Sequence, residues 1–84
     1  MKPVTIYTTA WCPYCHRAKA LLAAKGAPFE EIDVTMDGRL RAEMEAKAGR
    51  HTVPQIWIGD AHVGGCDDLQ ALDRAGRLDA LLAG

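Results

Sequence analysis

Apolar and polar positions change period several times along the chain. Val4–Thr8 (VTIYT) is a β-branched and aromatic run, which predicts a buried strand. Past WCPYC the spacing becomes helical, with Ala18, Leu21, Leu22 and Lys25 recurring on one face. Pro13 suits the first turn of that helix, where a missing N–H is no loss, and Gly26 is placed to end it. Pro28–Asp33 (PFEEID) reads as a second, shorter strand, so the first three elements form a βαβ unit with parallel strands. Leu40, Met44 and Ala48 share a face of a second helix over Asp37–Ala48, stopped by Gly49. Val53–Gly59 and Ala61–Val63 read as two strands joined by a tight Gly-Asp turn. A last helical region runs from Asp67 to Ala75, with a short tail from Leu78 to Leu82. The order β-α-β-α-β-β-α predicts an α/β fold: a mixed four-stranded sheet flanked by helices.

Length and composition narrow the class. The 84 residues make one domain, 1–84, near the lower size at which a single apolar core suffices. A hydrophobic share of 49% and a charged share of 25% are those of a soluble globular protein. The most apolar stretch, Ala18–Ala24, is interrupted by Lys19 and too short to span a bilayer, so no membrane role is expected. Ten basic against eleven acidic residues, with no basic block, argue against nucleic acid as a partner. The N-terminus lacks the apolar core of a secretory signal, which makes a reducing cytoplasm the expected location. Three cysteines are an odd number and too few for a disulfide framework.

Two of those cysteines, Cys12 and Cys15, form a C-x-x-C followed at once by His16. Such a pair can be a redox couple, half of a zinc site, a haem attachment signal or two buried structural thiols. Haem attachment calls for export and a mostly helical fold, and here a strand runs into the motif. Zinc wants four ligands, and Cys66, His51 and His62 are scattered along the chain. The strand–turn–helix context favours the redox couple, because it sets Cys12 where free backbone N–H groups point. A free thiol of pKa ~8.5 is only about 3% thiolate at pH 7. A helix dipole contributes ~0.3–1 kcal/mol, up to ~2 when partly buried, which is about 0.2–1.5 pH units. That is too little alone, so direct N–H···S bonds from the amides of Tyr14 and Cys15 are expected.

A second motif, Gly64-Gly65-Cys66-Asp67-Asp68, has its own logic. Two glycines let the backbone come close to a ligand, and the amides opening the next helix can hold a carboxylate. The plainer reading is that Asp67 caps a helix.

Read together, IYTTAWCPYCHRAKALL, HTVPQIWIG and HVGGCDD resemble a dithiol glutaredoxin of the small bacterial type, over nearly the whole chain. The resemblance implies a thioredoxin-like fold and a glutathione-dependent thiol–disulfide oxidoreductase. Glutathione would be the cosubstrate, with no covalently bound cofactor and no metal. It implies Cys12 as nucleophile and Cys15 as resolving thiol. It also implies a glutathione site made of Tyr14, Arg41, Thr52, Val53, Pro54, Gly65, Cys66, Asp67 and Asp68. In that site Val53 pairs its backbone with the cysteinyl unit of the tripeptide, as an added strand would. Pro54 would be cis and would face the disulfide. The backbone at Cys66 and Asp67 would hold the γ-glutamyl carboxylate, and Asp67 or Asp68 the ammonium. Implied partners are glutathionylated or disulfide-containing proteins, ribonucleotide reductase among them, with the chain acting as a monomer.

The chain departs from the family pattern at Thr9, where a lysine usually helps to acidify the thiol and to bind the glycyl carboxylate. Arg41 is then expected to carry the carboxylate task alone. Trp11 is also unusual before the first cysteine and is expected to shield the sulfur. His16 and Lys19 should lie on the exposed side of the first helix, and Cys66 should be a half-buried, unpaired thiol. Two rival functions are a [2Fe–2S] cluster held between two subunits by Cys12 and bound glutathione, and an electron donor served by thioredoxin reductase. In the family Pro13 works against the first, and the GGCDD segment against the second.

Overall fold

The computed structural model describes all 84 residues. Strand β1 (Val4–Thr8) pairs in parallel with β2 (Phe29–Asp33) and antiparallel with β3 (Gln55–Ile58). A fourth strand, β4 (Ala61–Gly64), pairs antiparallel with β3, so the sheet order is β2-β1-β3-β4. This is the mixed four-stranded sheet that the pattern predicts.

Strand alternation divides the core in two. On one face Val4, Ile6, Ile56 and Ile58 pack with Ala18 and Leu22 of α1 (Pro13–Ala24) and with Cys66 and Leu69 of α3 (Cys66–Arg74). Leu78 and Leu82 complete that cluster. On the other face Tyr7 and Trp57 pack with Val34 and with Met44 of α2 (Gly38–Ala48). The result is three layers, with the sheet between α2 and the remaining helices.

Three features differ from expectation, each for a physical reason. Strand β3 opens at Gln55, not Val53, because Pro54 has no N–H to give to a ladder; the Val53–Pro54 bond is cis. The C-terminal tail is a helix of its own, α4 (Leu78–Ala83), which gives the order β-α-β-α-β-β-α-α. Gly76, at φ +72, separates it from α3: its amide bonds to the Asp73 carbonyl and that of Arg77 to Leu72. Leu78 and Leu82, one turn apart, then bury the same face. Finally, Lys19 is not on a free surface. Its ammonium lies 2.9 Å from Glu31 Oε2 on β2, which also accepts from the Thr8 hydroxyl at 2.7 Å. His16 is exposed as expected.

The parallel β1–β2 pair brings the loops after both strands to one end of the sheet. There the Ala10 amide donates to Thr35 Oγ1 at 2.8 Å, pinning the segment that carries the cysteines. No helix is long and apolar enough to cross a membrane.

Leu22 is 0% exposed and joins α1 to the larger core, so Leu22→Ala is expected to destabilise the fold by about 2–5 kcal/mol. Urea denaturation checks this, with the midpoint falling and the slope unchanged.

Candidate active site

Cys12 is the N-cap of α1. Its backbone is extended, at φ −117 and ψ 105, and its sulfur accepts the Cys15 amide at 3.2 Å. An oxygen of Ser, Thr, Asp or Asn normally takes that amide, three positions into the helix. Pro13 occupies the first position, where no N–H is needed. Of the two amides expected to reach the sulfur, that of Cys15 makes the bond. That bond and the helix start point the positive ends of peptide dipoles at the Cys12 sulfur. The Cys12 thiol also approaches the Val53 carbonyl oxygen, at 3.8 Å.

The second cysteine is in a different environment. Cys15 is 0% exposed against 8% for Cys12, and both thiols are free. Burial, followed by the hydrogen bond with Cys12, pushes the Cys15 thiol up to about 12. Cys12 is thus the less buried of the two, and Cys15 keeps its proton. Trp11 does not shield either: it stands 91% exposed. No third His, Cys, Asp or Glu is grouped with the pair to hold a metal ion.

Beside the pair lies a cavity of about 270 Å³, lined by Tyr14, Arg50, Thr52, Val53, Pro54, Gly65, Cys66, Asp67 and Asp68. Its far wall is the start of α3, where the first amides have no acceptor within the helix. Asp68 reaches back to the Gly65 amide at 2.9 Å, which is half of a capping box, since Gly65 has no side chain to complete it. The same Asp68 oxygen takes an ion pair from Arg50 at 2.9 Å. The Gly65 amide first, and then Arg50, hold the Asp68 carboxyl below the usual carboxylate range. Gly64 makes this possible: it sits at φ +113, and a Cβ there would stand 2.4 Å from Asp68 Oδ2. The close approach that the glycine pair permits at Gly64 is therefore to the chain's own carboxylate. Asp67 stays exposed at the rim.

Eight of the expected binding residues meet in this one cavity. Arg41 does not join them. Its guanidinium bonds Glu45 at 3.2 Å and the His51 carbonyl, on the α2 side. Arg50 lines the cavity instead, and sequence reasoning missed it. The available signal was its place just past Gly49, which ends α2 at φ +67, in the run that leads to Thr52. Cys66 is 4% exposed, more deeply buried than expected, and burial followed by the charge of Asp67 raises its thiol.

These environments make two predictions. In the reduced, folded protein, iodoacetamide at neutral pH should label Cys12 and leave Cys15 and Cys66 unmodified, which mass spectrometry of the intact chain and its peptides checks. For Asp68, a lowered folded pKa means that its contribution to stability is present above the unfolded value of ~3.9 and is lost as pH falls through the folded one. Asp68→Asn should therefore lower Tm at pH 7, and the gap to the unsubstituted protein should close in acid.

The comparisons agree with this geometry. The Glutaredoxin family model matches residues 4–63. The chain is 68% identical over 83 residues to a glutaredoxin of Pseudomonas aeruginosa, covering 99% of both. It is 56% identical to glutaredoxin 3 of Escherichia coli, over 98% of this chain and 99% of that one. Among solved structures, the Brucella melitensis glutaredoxin matches at a TM-score of 0.87 and 62% identity, covering 98% of this chain and 89% of that one. A buckwheat glutaredoxin–glutathione complex matches at 0.90 and 30% identity, over 98% and 77%. The architecture is accordingly thioredoxin-like, and the chain belongs to the glutaredoxin family of thiol–disulfide oxidoreductases, with Cys12 and Cys15 as its dithiol motif.

Proposed function

We propose that this chain uses glutathione to reduce protein–glutathione mixed disulfides and protein disulfides through Cys12 and Cys15. The observation that carries the reading is the Cys12 sulfur at a helix start, capped by the Cys15 amide at 3.2 Å and 3.8 Å from the carbonyl oxygen of Val53, a residue of the cavity wall. The buckwheat relative solved with glutathione supports the identity of the ligand.

The Cys12 thiolate attacks the glutathione sulfur of a mixed disulfide. A Cys12–glutathione disulfide forms, and the protein thiolate leaves and takes up a proton. A second glutathione thiolate attacks this intermediate, yielding glutathione disulfide and restoring Cys12. That cycle makes no demand on Cys15. With a protein disulfide, Cys12 first forms a mixed disulfide with the client. Cys15 then loses its proton and attacks the Cys12 sulfur, releasing the reduced client and leaving a Cys12–Cys15 disulfide for glutathione to reduce. The buried position of Cys15 suits this second role, because its retained proton keeps it idle until the mixed disulfide has formed.

For the ligand, Val53 offers main-chain groups beside the sulfur, and the opening amides of α3 at Cys66 and Asp67 suit the γ-glutamyl carboxylate. Asp67, free at the rim, is the carboxylate for the ammonium, since Asp68 is engaged by Gly65 and Arg50. With Thr9 neutral and Arg41 held by Glu45 and His51, Arg50 is the cation on the cavity wall; Asp68 takes only its Nη1, which leaves the rest of the guanidinium for the glycyl carboxylate. Tyr14, 54% exposed, covers the site from the helix side. Clients are glutathionylated or disulfide-bearing proteins, a ribonucleotide reductase among them, and the enzyme acts as a monomer in a reducing cytoplasm.

The test is turnover of a glutathione mixed disulfide by single-cysteine variants. Cys12→Ser should abolish it and Cys15→Ser should keep much of it, whereas reduction of a protein disulfide should need both. Equal loss in the two variants on the mixed disulfide would overturn these roles.

A further inference from the structure

Gln55 is 0% exposed, and a primary amide in an apolar layer destabilises the fold unless its polar atoms find partners. Here they do. Nε2 donates to the Thr52 carbonyl oxygen at 3.0 Å and to Thr52 Oγ1 at 3.2 Å, and Oε1 lies 2.7 Å from His62 Nε2. Chemistry fixes the direction of this chain of bonds. A carbonyl can only accept, so the NH2 end of Gln55 must face Thr52. Oε1 can also only accept, so His62 Nε2 must carry a proton. The His62 ring is held against Trp57 in turn, with ring centroids 4.7 Å apart, opposite it in the β3–β4 ladder.

Thr52 opens the segment Thr52–Val53–Pro54, which walls the cavity. The β1–β3 ladder stops at Gln55, and Pro54 has no amide hydrogen to extend it. The side chain of Gln55 therefore reaches back three residues and ties down the start of a segment that the sheet does not hold. Gln55 itself does not line the cavity. We propose that Gln55 is a positioning residue for ligand binding, with His62 as its outer anchor. By fixing Thr52 it presents the main chain of Val53 to the bound tripeptide in one orientation. This rests on the reading that the cavity takes glutathione.

The experiment uses the full chain and the glutathione mixed disulfide of 2-mercaptoethanol. Gln55→Met keeps length and volume and removes both ends of the amide. His62→Phe keeps a ring against Trp57 and removes its N–H. In Gln55→Met, KM for the mixed disulfide should rise about three- to tenfold, with kcat held within about twofold. In His62→Phe the rise should be smaller. Alkylation of Cys12 by iodoacetamide should proceed at the unsubstituted rate in both, since that reagent needs no tripeptide site. Ring nitrogen shifts should report the Nε2–H form of His62, and a mixture of forms in Gln55→Met. An unchanged KM in folded Gln55→Met would overturn the proposal. So would a parallel fall in alkylation rate, which would mean general loosening. If Gln55→Met fails to fold, an unchanged KM in His62→Phe or an Nδ1–H ring in the unsubstituted protein overturns it. No turnover by the unsubstituted protein would instead overturn the glutathione reading, and that result involves no variant.

Discussion

At the start of α1 a sulfur does what an oxygen does at most helix starts. The Cys12 thiol group is the N-cap, and the Cys15 amide is the donor it satisfies. This single bond explains the two-residue spacing of the motif. An N-cap atom reaches the amide of the third helical residue, and that residue is the other cysteine. The same turn of helix directs Cys15 inward, where it is fully buried. Strand β1 delivers the chain to this point, and the Ala10–Thr35 bond holds it there. Fold and chemistry meet in one turn of backbone.

The ligand side of the site depends on a different economy of charge. A loop, a cis proline and a helix start would leave several amides and carboxylates to satisfy. The chain satisfies one carboxylate itself: Asp68 lies against Gly65 and Arg50, in space that Gly64 leaves open. Asp67 and the first amides of α3 remain for something else. Because Asp68 is already neutralised, its neighbour can act as the acidic contact without a second unpaired carboxylate beside it.

Much of this could be read from residue order. The run VTIYT, the helical spacing after Pro13 and the glycines after α1 and α2 gave their elements within a residue or two, since each is a local signal. Less legible was whatever depends on contacts distant in sequence. Pro54 delays β3, though its missing N–H was visible in advance. The tail Leu78–Leu82 forms a helix because two leucines find a core made by other elements. Arg41 and Arg50 are chemically alike; Glu45 is an i,i+4 neighbour of Arg41 on α2, whereas only the fold sends Arg50 to Asp68, eighteen residues away. Trp11 looked like a cover for the sulfur, yet it stands out in water.

The arrangement around Glu31 sets how the nucleophile responds to its medium. Lys19, on the turn after Cys15, is bound to a carboxylate that the Thr8 hydroxyl also holds, and position 9 carries no cation. The donor that the structure places on the Cys12 sulfur is then a peptide N–H at contact distance, not a side-chain cation. Dissolved ions screen interactions between separated, exposed charges far more than a hydrogen bond at 3.2 Å. Intrinsic thiol reactivity in this chain should consequently vary little with ionic strength, leaving any salt sensitivity to the docking of charged partners.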